Sequence, residues 1–315
     1  MRPLPPAFAR TFFARAVVFA HVVFAGAALA QDRGALEARV LPPLANPQSP
    51  STPAKELFGR ADAPAPLAAR TIGFYSRGCL AGGQALPISG DAWQVMRLSR
   101  NRNWGHPQLI AFLESFARRV RAGAGWPGIL VGDISQPRGG PMLTGHASHQ
   151  IGLDADIWMT PMPARQLSRA EREDMSSTMV VRPDRLDVDY SRWTPGHMEA
   201  IKLAAQDPRV QRVFVNAAIK KAICRDARGD RSWLGKVRPI WGHDYHFHIR
   251  LACPRGEDAC RDQEPTPPGD GCDASLDWWF SDAVLHPKPS APQKPKPPMT
   301  LAQLPAECRI VLKAK

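Results

Sequence analysis

The chain has 315 residues and a formal net charge of +12, with 41 lysines and arginines against 29 aspartates and glutamates. A basic balance suits an anionic polymer, a membrane surface or nucleic acid as partner. However, the sequence contains no basic run interleaved with aromatic residues and no nucleic-acid motif. We therefore expect no nucleic-acid partner.

The first thirty residues have the pattern of a secretory signal peptide. Basic residues precede an apolar run over 16–30, which ends in the small-x-small site Ala28-Leu29-Ala30. The run is short for a membrane span of about 20 residues, and His21 interrupts it. We expect residues 1–30 to be removed, leaving an exported protein with no stable membrane insertion.

The remaining chain divides by composition into three parts. Residues 31–71 are rich in proline and alanine and are predicted to be a linker or a loosely attached arm. Residues 72–285 are long enough for one domain with a substantial core. Residues 286–315 form a tail that opens with a Pro/Lys-rich linker and carries Cys308 beyond it.

Helical and strand periods are interspersed along the central part of the chain. The connections do not repeat as βαβ units, which favours an α+β fold with a mainly antiparallel central sheet and flanking helices. The predicted elements are a helix over 106–121, strands over 129–134 and 153–158, a helix over 195–206 that follows Thr194, a strand over 210–215, a helix to about 224 and a strand over 245–251.

Six cysteines in an exported chain indicate three disulfides that staple this single domain. Cys253 and Cys260 are close enough to close a small loop, but spacing does not fix the other pairs. If Cys308 pairs with Cys79, the tail is tied back to the start of the folded region.

Two short segments, 145–158 and 243–250, hold five of the nine histidines. Side chains alternate across a strand, so His246, His248 and Arg250 share one face of the last predicted strand. Two imidazoles on one face need hydrogen bonds or a metal if they are buried. The apolar core face of the same strand is predicted to comprise Tyr245, Phe247, Ile249 and Leu251.

The first segment supplies partners for these histidines. Asp156 lies in the predicted strand, and His149 precedes it from a loop, close enough to share a metal ion. A His-Asp-His set suits zinc, because catalytic zinc sites use three protein ligands and keep the fourth position for water. Water bound there becomes a nucleophile near neutral pH. The sequence has no HExxH motif, so His246 is the natural candidate for the base.

These motifs resemble the penicillin-insensitive murein endopeptidases, a family of LAS-type zinc metallopeptidases related to lysostaphin and D-Ala-D-Ala metallopeptidases. The resemblance covers about residues 72–285. The matching runs are Gly145–Trp158, His243-x-x-His246-x-His248, Gly78-Cys79, Leu86-Pro87-Ile88, Trp193-Thr194-Pro195, Val213–Asn216 and Pro267–Cys272, together with Gly73.

The resemblance implies that His149, Asp156 and His248 hold zinc, that His246 and His243 assist catalysis, and that His146 occupies a further metal-binding position. It also implies hydrolysis of D-alanyl–meso-diaminopimelyl cross-links in peptidoglycan, and hence a location in the periplasm. The implied disulfides are Cys79–Cys308, Cys224–Cys272 and Cys253–Cys260.

One family feature differs here. Where the family can carry a second metal on an Asp-x-x-His spacing, this chain has Asp184 and Asp187. Two carboxylates can hold a divalent ion but select less for zinc, and an exposed acidic loop is the simpler interpretation. Gln136 and Arg250 are weaker candidates for substrate contact, and Arg250 is equally suited to a structural role.

Two other functions fit the same residues. A D,D- or L,D-carboxypeptidase would trim stem peptides instead of cutting cross-links. A non-catalytic peptidoglycan-binding module would keep the metal without the reaction. The complete set of ligands and base favours the hydrolase.

Overall fold

A computed structural model describes Met1, residues 41–288 and residues 296–315. The predicted signal peptide, except for Met1, and parts of the two predicted linkers lie outside these residues. The described residues from 41 onward belong to one compact unit.

Ten short strands form within the described residues. They are β1 (Arg70–Phe74), β2 (Arg77–Ala81), β3 (Gln84–Ala85), β4 (Trp93–Val95), β5 (Trp104–Gly105), β6 (Ile129–Val131), β7 (Asp154–Trp158), β8 (Val210–Val215), β9 (Val237–Pro239) and β10 (His246–Leu251). The α-helices are α1 (Ala54–Phe58), α2 (Pro107–Gly123), α3 (Arg169–Asp174), α4 (Pro195–Ala205), α5 (Ala217–Asp226), α6 (Ala274–Asp277), α7 (Asp282–Leu285) and α8 (Glu307–Lys313).

The central sheet has six strands in the order β4-β6-β7-β10-β8-β9. The three central pairings are antiparallel, and only the outer pairs β4–β6 and β8–β9 are parallel. The two remaining pairs, β1–β2 and β3–β5, form separate two-stranded antiparallel sheets. The prediction of an α+β fold with a mainly antiparallel sheet is confirmed.

Helix α2 covers one face of the central sheet. His106 caps its first turn by accepting a hydrogen bond from the backbone N–H of Gln108, and Pro107 occupies the first helical position. Its apolar residues recur at helical spacing and are buried. Phe116 packs edge-to-face against Phe247 of β10, with ring centroids 6.4 Å apart. Burying a side chain of this size contributes about 1.5–3 kcal/mol, so this contact helps to hold the sheet in place.

Strand β10 shows the alternation predicted from its sequence. Phe247, Ile249 and Leu251 are fully buried in the core beneath the helices. His246, His248 and Arg250 lie on the opposite face. Tyr245, predicted for the core face, is instead 42% exposed. It precedes the first residue of the strand, so the strand alternation does not control its direction.

The tail packs on the two-stranded sheet of β1 and β2. Phe58 of α1 and Val311 of α8 are buried in one apolar cluster, and Cys79 is bonded to Cys308 within it. Residues 54–58 belong to the segment predicted as a linker or arm. Their composition did not reveal this packing, because the apolar partners come from the far end of the chain.

All six cysteines are paired. Besides Cys79–Cys308, the disulfides are Cys224–Cys272 and Cys253–Cys260. These are the three pairs that the resemblance implies.

Candidate metal centre and active-site cleft

The face of the sheet away from the helices carries a cluster of histidines and aspartates. Strands β7 and β10 run antiparallel in a register that sets His248 directly opposite Asp156 and Arg250 opposite Asp154. Opposed residues in a ladder have neighbouring side chains on the same face. Two segments about ninety residues apart in the sequence are thereby joined into one site.

Asp156 lies at the centre of this cluster. Its Oδ1 atom is 3.5 Å from Nε2 of His149, 3.4 Å from Nδ1 of His248 and 3.7 Å from Nε2 of His246. Its Oδ2 atom is 3.5 Å from Nε2 of His146. The structure therefore brings together all three predicted ligands, the predicted base and the further metal-binding candidate.

The loop before β7 fixes the orientation of His149. The backbone of His149 has a positive φ of 67°, a conformation that a non-glycine residue adopts only when its surroundings hold it there. Nδ1 of its ring donates to the carbonyl of Ile134 at 2.5 Å, and its backbone N–H donates to Oδ2 of Asp154 at 3.0 Å. The Nε2 lone pair is consequently turned toward Asp156.

His248 lies between two aspartates. Nε2 is 3.0 Å from Oδ1 of Asp154, while Nδ1 faces Asp156 at 3.4 Å. Asp154 is fully buried and also accepts from Nε of Arg250 at 2.8 Å. The guanidinium of Arg250 stacks over the Tyr75 ring at 4.1 Å. Arg250 therefore contributes to the site indirectly, by pairing with the Asp154 carboxylate that lies next to His248.

The donor set fits a metal ion. Nε2 of His149 and Oδ1 of Asp156 are buried and have no hydrogen-bond partner, which is costly for polar atoms unless a ligand satisfies them. Two donors of one tetrahedral zinc ion lie about 3.3 Å apart. The 3.5 Å and 3.4 Å separations from Asp156 to His149 and His248 are close to this value. Imidazole nitrogen and carboxylate oxygen are ligands that zinc accepts.

The charge states suit a divalent cation. Burial raises the pKa of Asp156, but His246 and His149 outweigh it and hold this pKa well below the usual range. Burial lowers the pKa of His246 and brings that of His248 to about 4. At neutral pH the carboxylate of Asp156 thus lies beside the neutral imidazoles of His246 and His248, the forms that bind metals. Burial lowers the pKa of His149, but the carboxylate of Asp156 outweighs it and raises this pKa above its ordinary value.

His146 is shared between two carboxylates. Its Nε2 atom is 3.0 Å from Oδ2 of Asp133 and 3.5 Å from Asp156. The nearest donor atoms of His146, His149 and Asp156 lie within 4.8 Å of one another. Asp133 also accepts from Arg102 at 2.8 Å, and although burial raises its pKa, His146 and Arg102 bring it far below its usual range.

The second predicted catalytic histidine, His243, lies next to His246. Nδ1 of His243 faces the carbonyl of Trp241 at 2.8 Å, so its Nε2 atom is left for other partners. The ring centroids of His243 and His246 are 4.6 Å apart. Burial lowers the pKa of His243 as well.

A cleft of about 460 Å³ opens beside these residues. It is open to solvent and has both charged and aromatic walls. Its lining includes Arg97, Arg100, Asp133, Trp158, Tyr245 and His246.

Several of these lining residues were not singled out by sequence reasoning. Asp133 follows a buried strand, β6, and a carboxylate directly after a buried strand could have marked it as a candidate site residue. Arg97 and Arg100 lie in a turn with no metal-type motif nearby, so sequence alone offered no reason to select them.

Four weaker candidates have other partners. Gln136 is buried and donates to the carbonyl of Gly139 in its own loop, and neither it nor Arg250 lines the cleft. Both oxygens of Asp187 accept from Arg225. Asp184 is ion-paired with Arg182, so the carboxylates of Asp184 and Asp187 already have cationic partners.

Comparisons with known proteins agree with this arrangement. The sequence profile described as penicillin-insensitive murein endopeptidase matches residues 71–313. A penicillin-insensitive murein endopeptidase of Haemophilus influenzae is 49% identical over 229 residues, covering 72% of this chain and 78% of that protein. Relatives with the same name from Klebsiella pneumoniae and Salmonella newport are 43% and 42% identical, covering 78% and 79% of this chain and 86% and 88% of theirs. The chain belongs to the penicillin-insensitive murein endopeptidase family.

Proposed function

We propose that this protein is a zinc-dependent murein endopeptidase that hydrolyses D-alanyl–meso-diaminopimelyl cross-links between the peptide stems of peptidoglycan. The observation that carries this proposal is the convergence of His149 and His248 on Asp156, in which Nε2 of His149 and Oδ1 of Asp156 are buried and have no hydrogen-bond partner. The relatives, which cover most of the chain, are named murein endopeptidases.

His149, Asp156 and His248 would hold the zinc ion, through Nε2, Oδ1 and Nδ1. Three protein donors leave the fourth position of a tetrahedral site open. Zinc bound there supplies a Lewis acid that polarises the scissile carbonyl and activates water near neutral pH. His146 is kept out of this set, since its Nε2 atom is already shared with Asp133 at 3.0 Å.

His246 is the general base in this proposal. Its Nε2 atom lies 3.7 Å from Oδ1 of Asp156, the oxygen proposed to bind zinc, and burial keeps its ring neutral at neutral pH. A neutral imidazole accepts a proton from the attacking water. His246, which lines the cleft, or its neighbour His243 returns a proton to the leaving amine.

The location follows from the substrate. Murein lies outside the cytoplasmic membrane, and the pattern of residues 1–30 is that of a signal peptide. We infer that the protein acts in the periplasm after this segment is removed. Among the described residues, no helix combines the length and apolar character needed to cross a bilayer.

Digestion of purified sacculi tests the proposal. The protein should convert cross-linked muropeptide dimers to monomers, a chelator should abolish this conversion, and added zinc should restore it. Product masses should place the cut between D-alanine and diaminopimelate.

Other products would point to other functions. Release of terminal alanine from monomeric stems, with dimers intact, would indicate a carboxypeptidase. Binding to sacculi with no released product under zinc-replete conditions would indicate a non-catalytic module. Conversion that survives complete removal of metal would contradict the zinc assignment.

A further inference from the structure

One wall of the cleft is basic. Arg97 and Arg100 line it on the side that also carries Asp133, and His246 and Asp156 line the same cleft. A substrate bound at the metal centre would therefore lie within reach of two guanidinium groups. None of the roles assigned above uses them.

The turn that carries these arginines is firmly held. Residues Leu98–Arg100 form a single 3₁₀ turn, and the residues on both sides, Arg97 and Asn101, have positive φ angles of 54° and 51°. Glu173 of α3 accepts from the backbone N–H of Ser99 at 2.6 Å and from its hydroxyl at 2.8 Å. Non-glycine residues hold such backbone angles only where the surroundings enforce them. The arginines are thus presented from a pre-organised turn.

The positive charge on this wall exceeds the negative charge of its carboxylate, Asp133. Oδ2 of Asp133 accepts from Arg102 at 2.8 Å and from Arg100 at 3.0 Å. The side chain of Arg97 has no carboxylate partner among the described residues and donates one hydrogen bond, to the carbonyl of Met175. The single carboxylate of Asp133 therefore accompanies the guanidinium groups of Arg97 and Arg100 in addition to that of Arg102.

Donors remain on both arginines for a ligand. The side chain of Arg100 is 45% exposed, and one of its three nitrogens is hydrogen-bonded within the described part of the chain. Arg97 lies over the Trp158 ring, 5.5 Å from its centroid. A guanidinium with free N–H groups in a cleft is suited to a planar anion such as a carboxylate.

The proposed substrate carries such an anion next to the bond that is cut. In a D-alanyl–meso-diaminopimelyl cross-link, the carbon attached to the scissile nitrogen also bears a carboxylate. A cross-link to the side-chain amine of lysine has a plain methylene at that position. The carboxylate therefore distinguishes the two kinds of cross-link close to the reacting atoms.

We propose that Arg100, assisted by Arg97, binds the carboxylate on the carbon attached to the scissile nitrogen and makes the enzyme selective for diaminopimelyl over lysyl cross-links. This inference rests on the proposed endopeptidase function. The arginines hold the leaving-group side of the substrate in place, whereas the metal and His246 act on the bond itself.

Four synthetic cross-linked peptides test it with the zinc-loaded protein. The first contains the unmodified D-alanyl–meso-diaminopimelyl link, and the second has the carboxylate beside the scissile nitrogen amidated. The third links D-alanine to the side-chain amine of lysine, and the fourth is amidated only at the terminal carboxylate of the acceptor stem. We expect kcat/KM to fall about 10- to 100-fold for the second and third peptides, and to stay unchanged for the fourth.

Variants then locate this selectivity. Arg100→Gln should lower kcat/KM about 10- to 100-fold on the first peptide and have little effect on the second, and Arg97→Gln should act in the same direction. Arg121→Gln is the matched control, because Arg121 is 46% exposed and pairs with one carboxylate, that of Asp91, outside the cleft. It should behave as the wild type.

Each other result overturns the inference. An equal loss on the first two peptides would make Arg100 a merely structural residue. A fall in kcat/KM for the fourth peptide, which lacks only the terminal carboxylate of the acceptor stem, would assign the arginines to that carboxylate instead. Wild-type cleavage of all four peptides at equal rates would refute the selectivity while leaving the endopeptidase function intact.

Failure of the proposed function gives a different pattern, in which the wild type cleaves none of the peptides. Calorimetric binding to the His246→Ala protein then decides the inference separately. Arg100→Gln added to that variant should weaken binding of the first peptide about 10- to 100-fold. Unchanged binding would overturn the role of Arg100.

Discussion

Asp154 and His248 face each other from adjacent strands, with Oδ1 of the aspartate 3.0 Å from Nε2 of the imidazole. The other ring nitrogen of His248 is directed at Asp156. A buried carboxylate behind a metal-binding histidine fixes the ring orientation and raises its basicity as a ligand. Asp154 is thus a positioning residue for the proposed metal centre.

Asp154→Asn should lower zinc affinity about 10- to 100-fold, measured by competition with a chelating dye. It should also reduce stability, because Arg250 keeps a buried charge without its carboxylate. Asp207→Asn is the matched control. Asp207 is similarly buried and pairs with Arg119 and Arg209, so its loss should reduce stability with zinc affinity unchanged. Normal zinc affinity in Asp154→Asn would show that Asp154 stabilises the fold alone.

His246→Ala should retain about one zinc per chain and lose about 10²- to 10⁴-fold in kcat, the usual contribution of a general base. Metal content by mass spectrometry and dimer cleavage together check this. His106→Gln is the control, because His106 pairs with Glu257 and lies outside the cleft. Retained activity in His246→Ala would exclude it as the base, and loss of zinc would make it a ligand.

The disulfides that close the longest and the shortest loops should differ in their contribution to stability. Cys79–Cys308 closes a separation of 229 residues and Cys253–Cys260 one of 7. Chain entropy alone predicts stabilisation of about 5 kcal/mol for the first and about 2 kcal/mol for the second. Urea denaturation of the two Cys→Ala double variants measures both values. An equal loss would show that unfolded-state entropy does not control the difference.

Lys220 of α5 should make stability depend on pH. It is fully buried, donates to the carbonyl of Leu234 at 2.8 Å, and burial lowers its pKa to about 7. An unfolded lysine titrates at 10.5, so between pH 7 and 10.5 the unfolded chain binds the additional proton. The free energy of unfolding should then rise with pH, by at most about 1.4 kcal/mol per unit.

Lys220→Met isolates this contribution, since it keeps the apolar stem and removes the amine. Denaturation at pH 7.5 and pH 9.5 should show the rise in the wild type and a smaller rise in the variant. Identical slopes would mean that Lys220 stays protonated throughout, held by its carbonyl acceptors.

Local pattern was sufficient for the main elements. The spacing of apolar residues from Leu109 to Val120 predicted α2, because a helix buries one stripe of its surface. Alternation predicted the two faces of β10, because successive side chains of a strand point to opposite sides. Both rules depend on residues close in sequence, which is why they hold without the tertiary structure.

Long-range contacts escaped the same reasoning. The burial of Phe58 depends on the tail around Cys308 and Val311, so its proline- and alanine-rich surroundings predicted a linker or arm. Tyr245 was assigned to the core by extending an alternation that begins only at His246. Asp133 and Arg100 meet because two turns 33 residues apart converge on the same cleft.

The sequence by itself determined which residue types were available for a metal and that His246 and His248 share a strand face. Only the tertiary structure decided that His248 lies opposite Asp156, since the register of two strands depends on the packing of the whole sheet. It also turned Arg250 toward Asp154, because a buried guanidinium requires a carboxylate, and it left Arg97 and Arg100 facing the cleft.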